Sequence, residues 1–135
     1  MSRRDLIDPE SREPLDQLLA VMPGGFNSIP DIVARREAAT AMLAAIEVPP
    51  NLNVTHEDRT VPGPEGAPDI SVRIYRPLNA TGTLPGIYFI HGGGMILGNV
   101  EGENAVAAQV CEQVGAVVVS VEYRLAPEDP HPAQS

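Results

Sequence analysis

The spacing of apolar side chains changes twice along the 135-residue chain, and each stretch predicts a different kind of structure. Residues 1–50 carry apolar positions at helical spacing, whereas residues 54–77 alternate apolar and polar side chains, as strands do. Continuous apolar runs follow at 86–90 and 116–121, with a helical pattern between them. The chain is therefore predicted to be α/β, with a helical segment over 1–50 and a sheet-forming domain over 51–135.

The first helix is predicted from one apolar stripe with a defined start. Asp8 has the side chain of an N-cap, and Pro9 suits the first helical position. Pro14 is unfavourable inside a helix because it has no N–H to donate, which leaves open a start as late as Glu13. The stripe consists of Leu15, Leu18, Leu19 and Met22.

A second helix is predicted to start at Ser28, because Asp31 follows it in an arrangement like a capping box. Pro49 and Pro50 end this helix. By themselves the two helices indicate only amphipathic packing against a core.

An antiparallel hairpin is predicted next. Its first strand runs from Val54 to Val61, and residues 62–66 are rich in the proline and glycine that form turns. The second strand has the alternation of a half-buried strand, in which Ile70, Val72 and Ile74 alternate with Ser71, Arg73 and Tyr75.

A β-α-β unit with parallel strands is predicted from residue 86 onwards. The apolar run at 86–90 is expected to be buried on both faces of the sheet. The helix is predicted over 101–114, with glutamates in its first turn and Gly115 ending it. Its inward side chains are predicted to be Val106, Val110, Cys111 and Val114.

Candidate chemistry begins where the first of these strands ends, at His91-Gly92-Gly93-Gly94. Consecutive glycines suit a backbone that bends sharply and presents amide N–H groups to a ligand. Such groups stabilise the negative charge that develops on the carbonyl oxygen during acyl transfer. The alternatives are a simple glycine turn and a phosphate-binding loop, and the latter needs a G-x-G-x-x-G pattern or a Walker lysine, neither of which is in place.

Two segments resemble those of a known family. His91–Gly94 resembles the HGGG motif of the hormone-sensitive-lipase-like esterases, which have the α/β-hydrolase fold. Residues Val118–Ala133, V-V-S-V-E-Y-R-L-A-P-E-D-P-H-P-A, are similar to the family's D-Y-R-L-A-P-E-H-P-F-P-A segment. The departures from that pattern are Glu122 for the usual aspartate, Asp129 for a common histidine and His131 for a common phenylalanine.

The resemblance implies roles for the glycine loop. The amides of Gly93 and Gly94 would form most of an oxyanion hole, Gly92 would serve the turn, and His91 would hold the loop in shape. The resemblance also implies that the chain is the N-terminal portion of an α/β-hydrolase fold, with part of a helical cap over 1–50 and strands in the order 1-2-4-3. The apolar strand at 87–90 would then be an exposed edge, which favours self-association.

The nucleophile that this family uses lies in a G-x-S-x-G elbow, and none of the serines of the chain stands in that context: Ser2, Ser11, Ser28, Ser71, Ser120 and Ser135. Cys111 is predicted to be an inert buried thiol and His56 a solvated surface residue, and no cluster has metal-ligand spacing. The implied function is hydrolysis of carboxylic esters of short or medium acyl chains without a cofactor or metal. The chain would supply the oxyanion loop but no nucleophile, and would be inactive alone. The alternatives are a non-catalytic relative that binds a small ligand and an inactive truncated product.

Composition narrows the choice of partners. The net charge of −9, with no basic run longer than two residues, argues against nucleic acid. No apolar stretch approaches the ~20 residues of a membrane span, and no apolar run of a signal peptide follows Arg3 and Arg4. With a lone cysteine as well, the predicted location is cytoplasmic and the predicted partner a small-molecule ester.

Overall fold

The computed structural model describes residues 3–134, which divide into one unit up to Arg35 and a second from Arg36. The helices are α1 (Pro9–Val21), α2 (Ile32–Ala44) and α3 (Asn104–Val114), and short 3-10 turns occur at Arg3–Leu6 and Phe26–Ser28. The strands are β1 (Val54–Val61), β2 (Ile70–Pro77), β3 (Gly86–Ile90) and β4 (Val117–Val121). None of the described helices has the length and apolar character to cross a membrane. The domain boundary after residue 50 stays a prediction.

The start of α1 follows from its first residues. Asp8 is the N-cap, because its carboxylate accepts a hydrogen bond of 2.9 Å from the backbone N–H of Glu10. Pro9 is the first helical residue, and Pro14 lies inside the helix, so the late start near Glu13 is wrong. Because the first turn is already capped, the helix tolerates the one backbone hydrogen bond that Pro14 cannot donate.

The predicted start of α2 at Ser28 is also wrong, since α2 begins at Ile32. Pro30 restricts Ile29 to extended backbone, with φ −99° and ψ 103°, and this separates the preceding turn from the helix. Asp31 is the residue that caps α2, because its carboxylate accepts a 2.8 Å hydrogen bond from the amide three residues later. Neither α1 nor α2 contains a buried residue.

The four strands form one sheet in the order β1-β2-β4-β3. β1 and β2 pair antiparallel from Val54 opposite Pro77 to Val61 opposite Ile70, which confirms the predicted hairpin. β4 pairs antiparallel with β2 and parallel with β3. The predicted strand order 1-2-4-3 and the parallel β-α-β unit are therefore confirmed.

The core lies between α3 and one face of the sheet. It consists of Tyr75, Ala107, Ala108, Cys111 and Val118. The small alanine side chains allow the helix to approach the strands closely, and Tyr75 fills the space with a ring that has no exposed surface. Burial of these apolar groups is the main favourable contribution to holding α3 on the sheet.

The inward face of α3 differs from the prediction. Cys111 is buried and Val110 packs against the core, but Val106 and Val114 are 46% and 58% exposed. The helix begins only at Asn104, so the predicted glutamates precede it and do not occupy its first turn. The buried residues of α3 lie at positions 107, 108 and 111, and Val106 and Val114 lie outside that stripe. Gly115 ends the helix with φ 68°, as predicted.

Burial of the strands also differs from the prediction. Tyr88 and Ile90 of β3 are 65% and 62% exposed, so burial on both faces is wrong. β3 lies at the edge of the sheet, and the core covers only the face that carries Ile87 and Phe89. β2, predicted to be half-buried, has buried side chains at positions 72 and 75, which point to opposite faces.

Candidate functional site

The glycine loop, residues 91–100, follows β3 at the edge of the sheet where parallel strands end together. Ile90 pairs with Val121 across β3 and β4, so the loop begins directly beside Glu122 and Tyr123. Functional loops of α/β sheets are commonly found at this end of the strands. The two segments that carry the family resemblance therefore lie next to each other.

His91 is fixed from several sides. Its side chain is buried, and its ring stacks on that of Tyr123 with centroids 4.1 Å apart. The hydroxyl of Tyr123 donates to the carbonyl of His91 over 3.0 Å, and Nδ1 of the imidazole lies 2.9 Å from the carbonyl of Gly92. Because a carbonyl can only accept, this contact is a hydrogen bond when the proton is on Nδ1. These contacts are those of a residue that shapes the loop, and the role of His91 in loop support stays a prediction.

Glu122 connects the two ends of the glycine loop. Its Oε2 accepts a 2.8 Å hydrogen bond from the amide of Val100, and its Oε1 lies 3.9 Å from Nε2 of His91. Within residues 3–134 that Nε2 is buried and has no hydrogen-bond partner. One carboxylate thus faces both the first and the last residue of the loop. The sequence showed Glu122 only as a departure from the family pattern.

Two positions of the loop require glycine. Gly93 has φ 128°, and a Cβ on it would lie 2.0 Å from the carbonyl oxygen of Leu97. That close approach exists because the amides of Ile96 and Leu97 both donate to the carbonyl of Gly93, over 3.2 and 3.0 Å. At Gly98, with φ 89°, a Cβ would lie 2.6 Å from Nδ1 of His91. The sequence predicts no role for Gly98. The one sign of its importance in the sequence is that it is a further glycine in a glycine-rich loop.

The amides of Gly93 and Gly94 have no backbone partner among the described residues. Both residues are exposed, and among the backbone hydrogen bonds of the described residues neither N–H is a donor. Gly94 has φ 62°, and the next residue, Met95, is the one non-glycine residue of the described chain with positive φ, at 66°. A non-glycine residue in this region costs about 1–3 kcal/mol. The amide of Ala126 donates to the carbonyl of Met95 over 2.9 Å and helps to hold it there.

A polar network fixes the segment between the glycine loop and α3. The Arg73 guanidinium makes two hydrogen bonds to Asp58, of 2.7 and 3.0 Å, and one of 2.7 Å to Glu101. Arg73 and the hydroxyl of Tyr75 both donate to Oδ1 of Asn104, over 3.1 and 2.9 Å. Hydrogen bonds from Arg73 lower the pKa of Asp58, and burial raises the pKa of Tyr75. The first residue of α3 is therefore anchored to β2.

A cavity of about 480 Å³ adjoins the end of the glycine loop, where Gly98 and Asn99 line it. The side formed by α2 and the residues after it is apolar, with Leu43 and Ile46 among its side chains. The segment that leads into α3 forms the polar side. Small-molecule sites commonly combine an apolar wall with a few polar groups.

The remaining candidates for chemistry are separate from the loop. Cys111 is buried, as predicted, and burial raises the pKa of its thiol. His56 is exposed, which confirms its interpretation as a surface residue. No cluster of histidine, cysteine and carboxylates that could bind a metal occurs among residues 3–134. Ser2 and Ser135 lie outside the described residues.

The chain is similar to known proteins of the α/β hydrolase fold. The α/β hydrolase fold family matches residues 87–135, which include the glycine loop and the segment around Glu122. An ester hydrolase from the metagenome of Lake Arreo superposes with a TM-score of 0.81 at 34% identity, covering 95% of this chain and 41% of that one. The esterase of Pyrobaculum calidifontis superposes with a TM-score of 0.75 at 37% identity, covering 95% of this chain and 40% of that one.

Sequence relatives narrow the class. Carboxylesterase NlhH of Mycobacterium tuberculosis is 37% identical in an alignment that covers 98% of this chain and 41% of that protein. The chain therefore has the α/β hydrolase fold, and these relatives support the predicted resemblance to the hormone-sensitive-lipase-like esterases. It spans about 40% of the length of these three relatives.

Proposed function

We propose that the chain supplies the oxyanion-binding part of a carboxylic ester hydrolase, with Gly93 and Gly94 as the donors. The observation that carries this proposal is that both residues are exposed and their amides are unused by the backbone of the described residues, in a loop whose shape requires glycine. The similarity to a carboxylesterase and to an ester hydrolase supports the same reaction class.

The chemistry assigned to the loop is charge stabilisation. When a nucleophile attacks an ester, negative charge develops on the carbonyl oxygen, and two fixed N–H groups stabilise that charge more than the neutral substrate. One such donor typically contributes about 2.7–4 kcal/mol to lowering the barrier. The serine nucleophile and its triad partners are not among these 135 residues, so the chain alone is expected to be inactive. No cofactor is assigned, and the substrates are esters of short or medium acyl chains.

A chimera tests this function. Residues 1–135 replace the matching part of carboxylesterase NlhH, to which they are 37% identical, and release of p-nitrophenol is measured with p-nitrophenyl esters from acetate to palmitate. We expect saturable turnover that is fastest with short and medium chains, and none from the 135-residue chain alone. A chimera that is folded by circular dichroism but inactive, beside an active parent, would contradict the proposal and favour a binding protein.

Gly93→Ala in the active chimera tests the loop itself. The new Cβ would meet the carbonyl of Leu97 at 2.0 Å and displace the amide, so we expect kcat to fall by about 10²-fold or more with little change in KM. Gly82→Ala is the matched control, because Gly82 also has positive φ but has no atom within 4 Å of the added Cβ. Equal effects of the two variants would exclude an oxyanion role for the loop.

We further propose that the chain is cytoplasmic. We also propose that copies of this chain associate through β3. β3 pairs only with β4 among the described strands and carries the exposed Ile90 at its end. Light scattering after size-exclusion chromatography is expected to show oligomers that Ile90→Lys dissociates, because a charge on an edge strand opposes pairing. Val61→Lys, on the opposite edge strand, should have no effect. A monomeric parent chain contradicts this proposal.

A further inference from the structure

Arg36 of α2 contacts two segments that are distant in sequence. Its Nε donates to the carbonyl of Ile96 over 3.0 Å, and its Nη2 donates to the carbonyl of Ala126 over 2.8 Å. Both terminal nitrogens also bind the carboxylate of Glu128, over 2.9 and 3.0 Å. The side chain is only 23% exposed. One guanidinium therefore joins α2 to the glycine loop and to the turn at 126–128.

The same two segments are joined directly to each other. The amide of Ala126 donates to the carbonyl of Met95, the residue with the unfavourable positive φ. The amide of Ile96, whose carbonyl Arg36 binds, donates to the carbonyl of Gly93. A continuous series of hydrogen bonds thus leads from Arg36 through Ile96 to Gly93.

We infer that Arg36 is a positioning residue, which holds the glycine loop in the shape that leaves the amides of Gly93 and Gly94 without a backbone partner among the described residues. The functional side of this inference rests on the proposed oxyanion role of the loop. Arg36 touches neither amide, so it acts through the carbonyl of Ile96 and through the turn that holds Met95.

The chemistry of the side chain explains why arginine suits this position. A guanidinium is planar and has five donors in a fixed fork, so it can bind a carboxylate with two hydrogen bonds and still donate to carbonyls. Glu128 orients the fork, and the hydrogen bonds from Arg36 lower the pKa of Glu128. Lysine keeps the charge but cannot hold three acceptors in one plane.

Amide hydrogen exchange of the 135-residue chain, followed by NMR, tests the inference without any need for turnover. In Arg36→Gln and Arg36→Lys we expect the amides of Ala126 and Leu97 to exchange about tenfold faster, because the contacts that hold both segments are lost. Amides of β4 should keep their rates, since the core is unchanged. Arg35→Gln is the matched control, because among the described residues the Arg35 side chain donates only to the carbonyl of Ile29.

Each outcome decides the question. Unchanged exchange at Ala126 and Leu97, or equal acceleration throughout β4, would overturn the inference. If both Arg36 variants fail to fold, Glu128→Gln on the exposed side of the same contact should still accelerate Ala126, by about threefold, since it removes only the charge. In an active chimera, Arg36→Lys should lower kcat with KM unchanged. Faster exchange in the chain together with an inactive chimera would refute the proposed function and leave the positioning role intact.

Discussion

Helices α2 and α3 both lie beside the glycine loop, but different forces hold them. α3 buries Ala107, Ala108 and Cys111 completely or nearly so against the sheet. α2 has no buried residue, and Arg36 makes its hydrogen bonds to two carbonyls and a carboxylate. Apolar burial is insensitive to pH, whereas an ion pair requires both charges. The attachment of α3 is therefore independent of pH, whereas part of the attachment of α2 depends on pH.

The two helices also differ in how easily their contacts can rearrange. A packed core has essentially one arrangement, because side chains interdigitate at close-packed density. A half-exposed ion pair can break and re-form at small cost. Movement of the loop is thus expected on the side of Met95 and Ile96, where Arg36 and Ala126 hold it, and not at His91, which stacks on Tyr123.

The largest expected effect is on the attachment of α3. Tyr75→Ala removes a fully buried ring and its hydrogen bond to Asn104, and we expect a loss of about 3–5 kcal/mol in the free energy of unfolding. Tyr88→Ala is the matched control, since Tyr88 is 65% exposed on the neighbouring part of the sheet, and should change stability by no more than about 0.5 kcal/mol. Urea unfolding followed by circular dichroism measures both. Similar losses of unfolding free energy in the two variants would mean that the face of the sheet under α3 is not the core.

A smaller effect is expected from a polar group placed under α3. Cys111→Ser keeps the shape of a side chain with no exposed surface but buries a hydroxyl in an apolar cluster. We expect a loss of about 1–3 kcal/mol, and Cys111→Ala should lose less than Cys111→Ser. A serine variant as stable as the parent in urea would mean that the backbone of Val118, which interacts with the thiol, satisfies the new hydroxyl.

The sequence predicted the features that leave a local pattern. The hairpin followed from the turn residues at 62–66 and the strand alternation, and the glycine loop from its position after an apolar strand. The predicted inward face of α3 was wrong at Val106 and Val114, because the helix packs on the sheet through alanines, which allow a closer approach than valine. α2 begins later than the predicted Ser28 because Pro30 restricts Ile29 to extended backbone, which outweighs the capping-box pattern.

The contacts around the loop left no such pattern. Arg36 binds groups 60 to 92 residues away, two of them backbone carbonyls that any residue could present. Glu122 reaches back to Val100, and its side chain carries no local sign of that partner. Periodicity and short motifs report neighbours in the chain, whereas these contacts arise only once β3 and β4 bring their ends together. The support of the loop therefore became visible only in three dimensions.

The smallest expected effect is the pH dependence of the attachment of α2. Hydrogen bonds from Arg36 lower the pKa of Glu128, so the contact stabilises the folded chain above the ordinary glutamate pKa and is lost as the pH falls through the lowered value. Carbon-detected NMR titration between pH 7 and 3 should place Glu128 below the usual range in the parent, and nearer to that range in Arg36→Gln. Exchange at Ala126, corrected for intrinsic pH dependence, should accelerate over the same interval while β4 amides keep their protection. A Glu128 that titrates identically in both chains would show that the ion pair does not persist in solution, and of the Arg36 contacts only those to the two carbonyls would then remain.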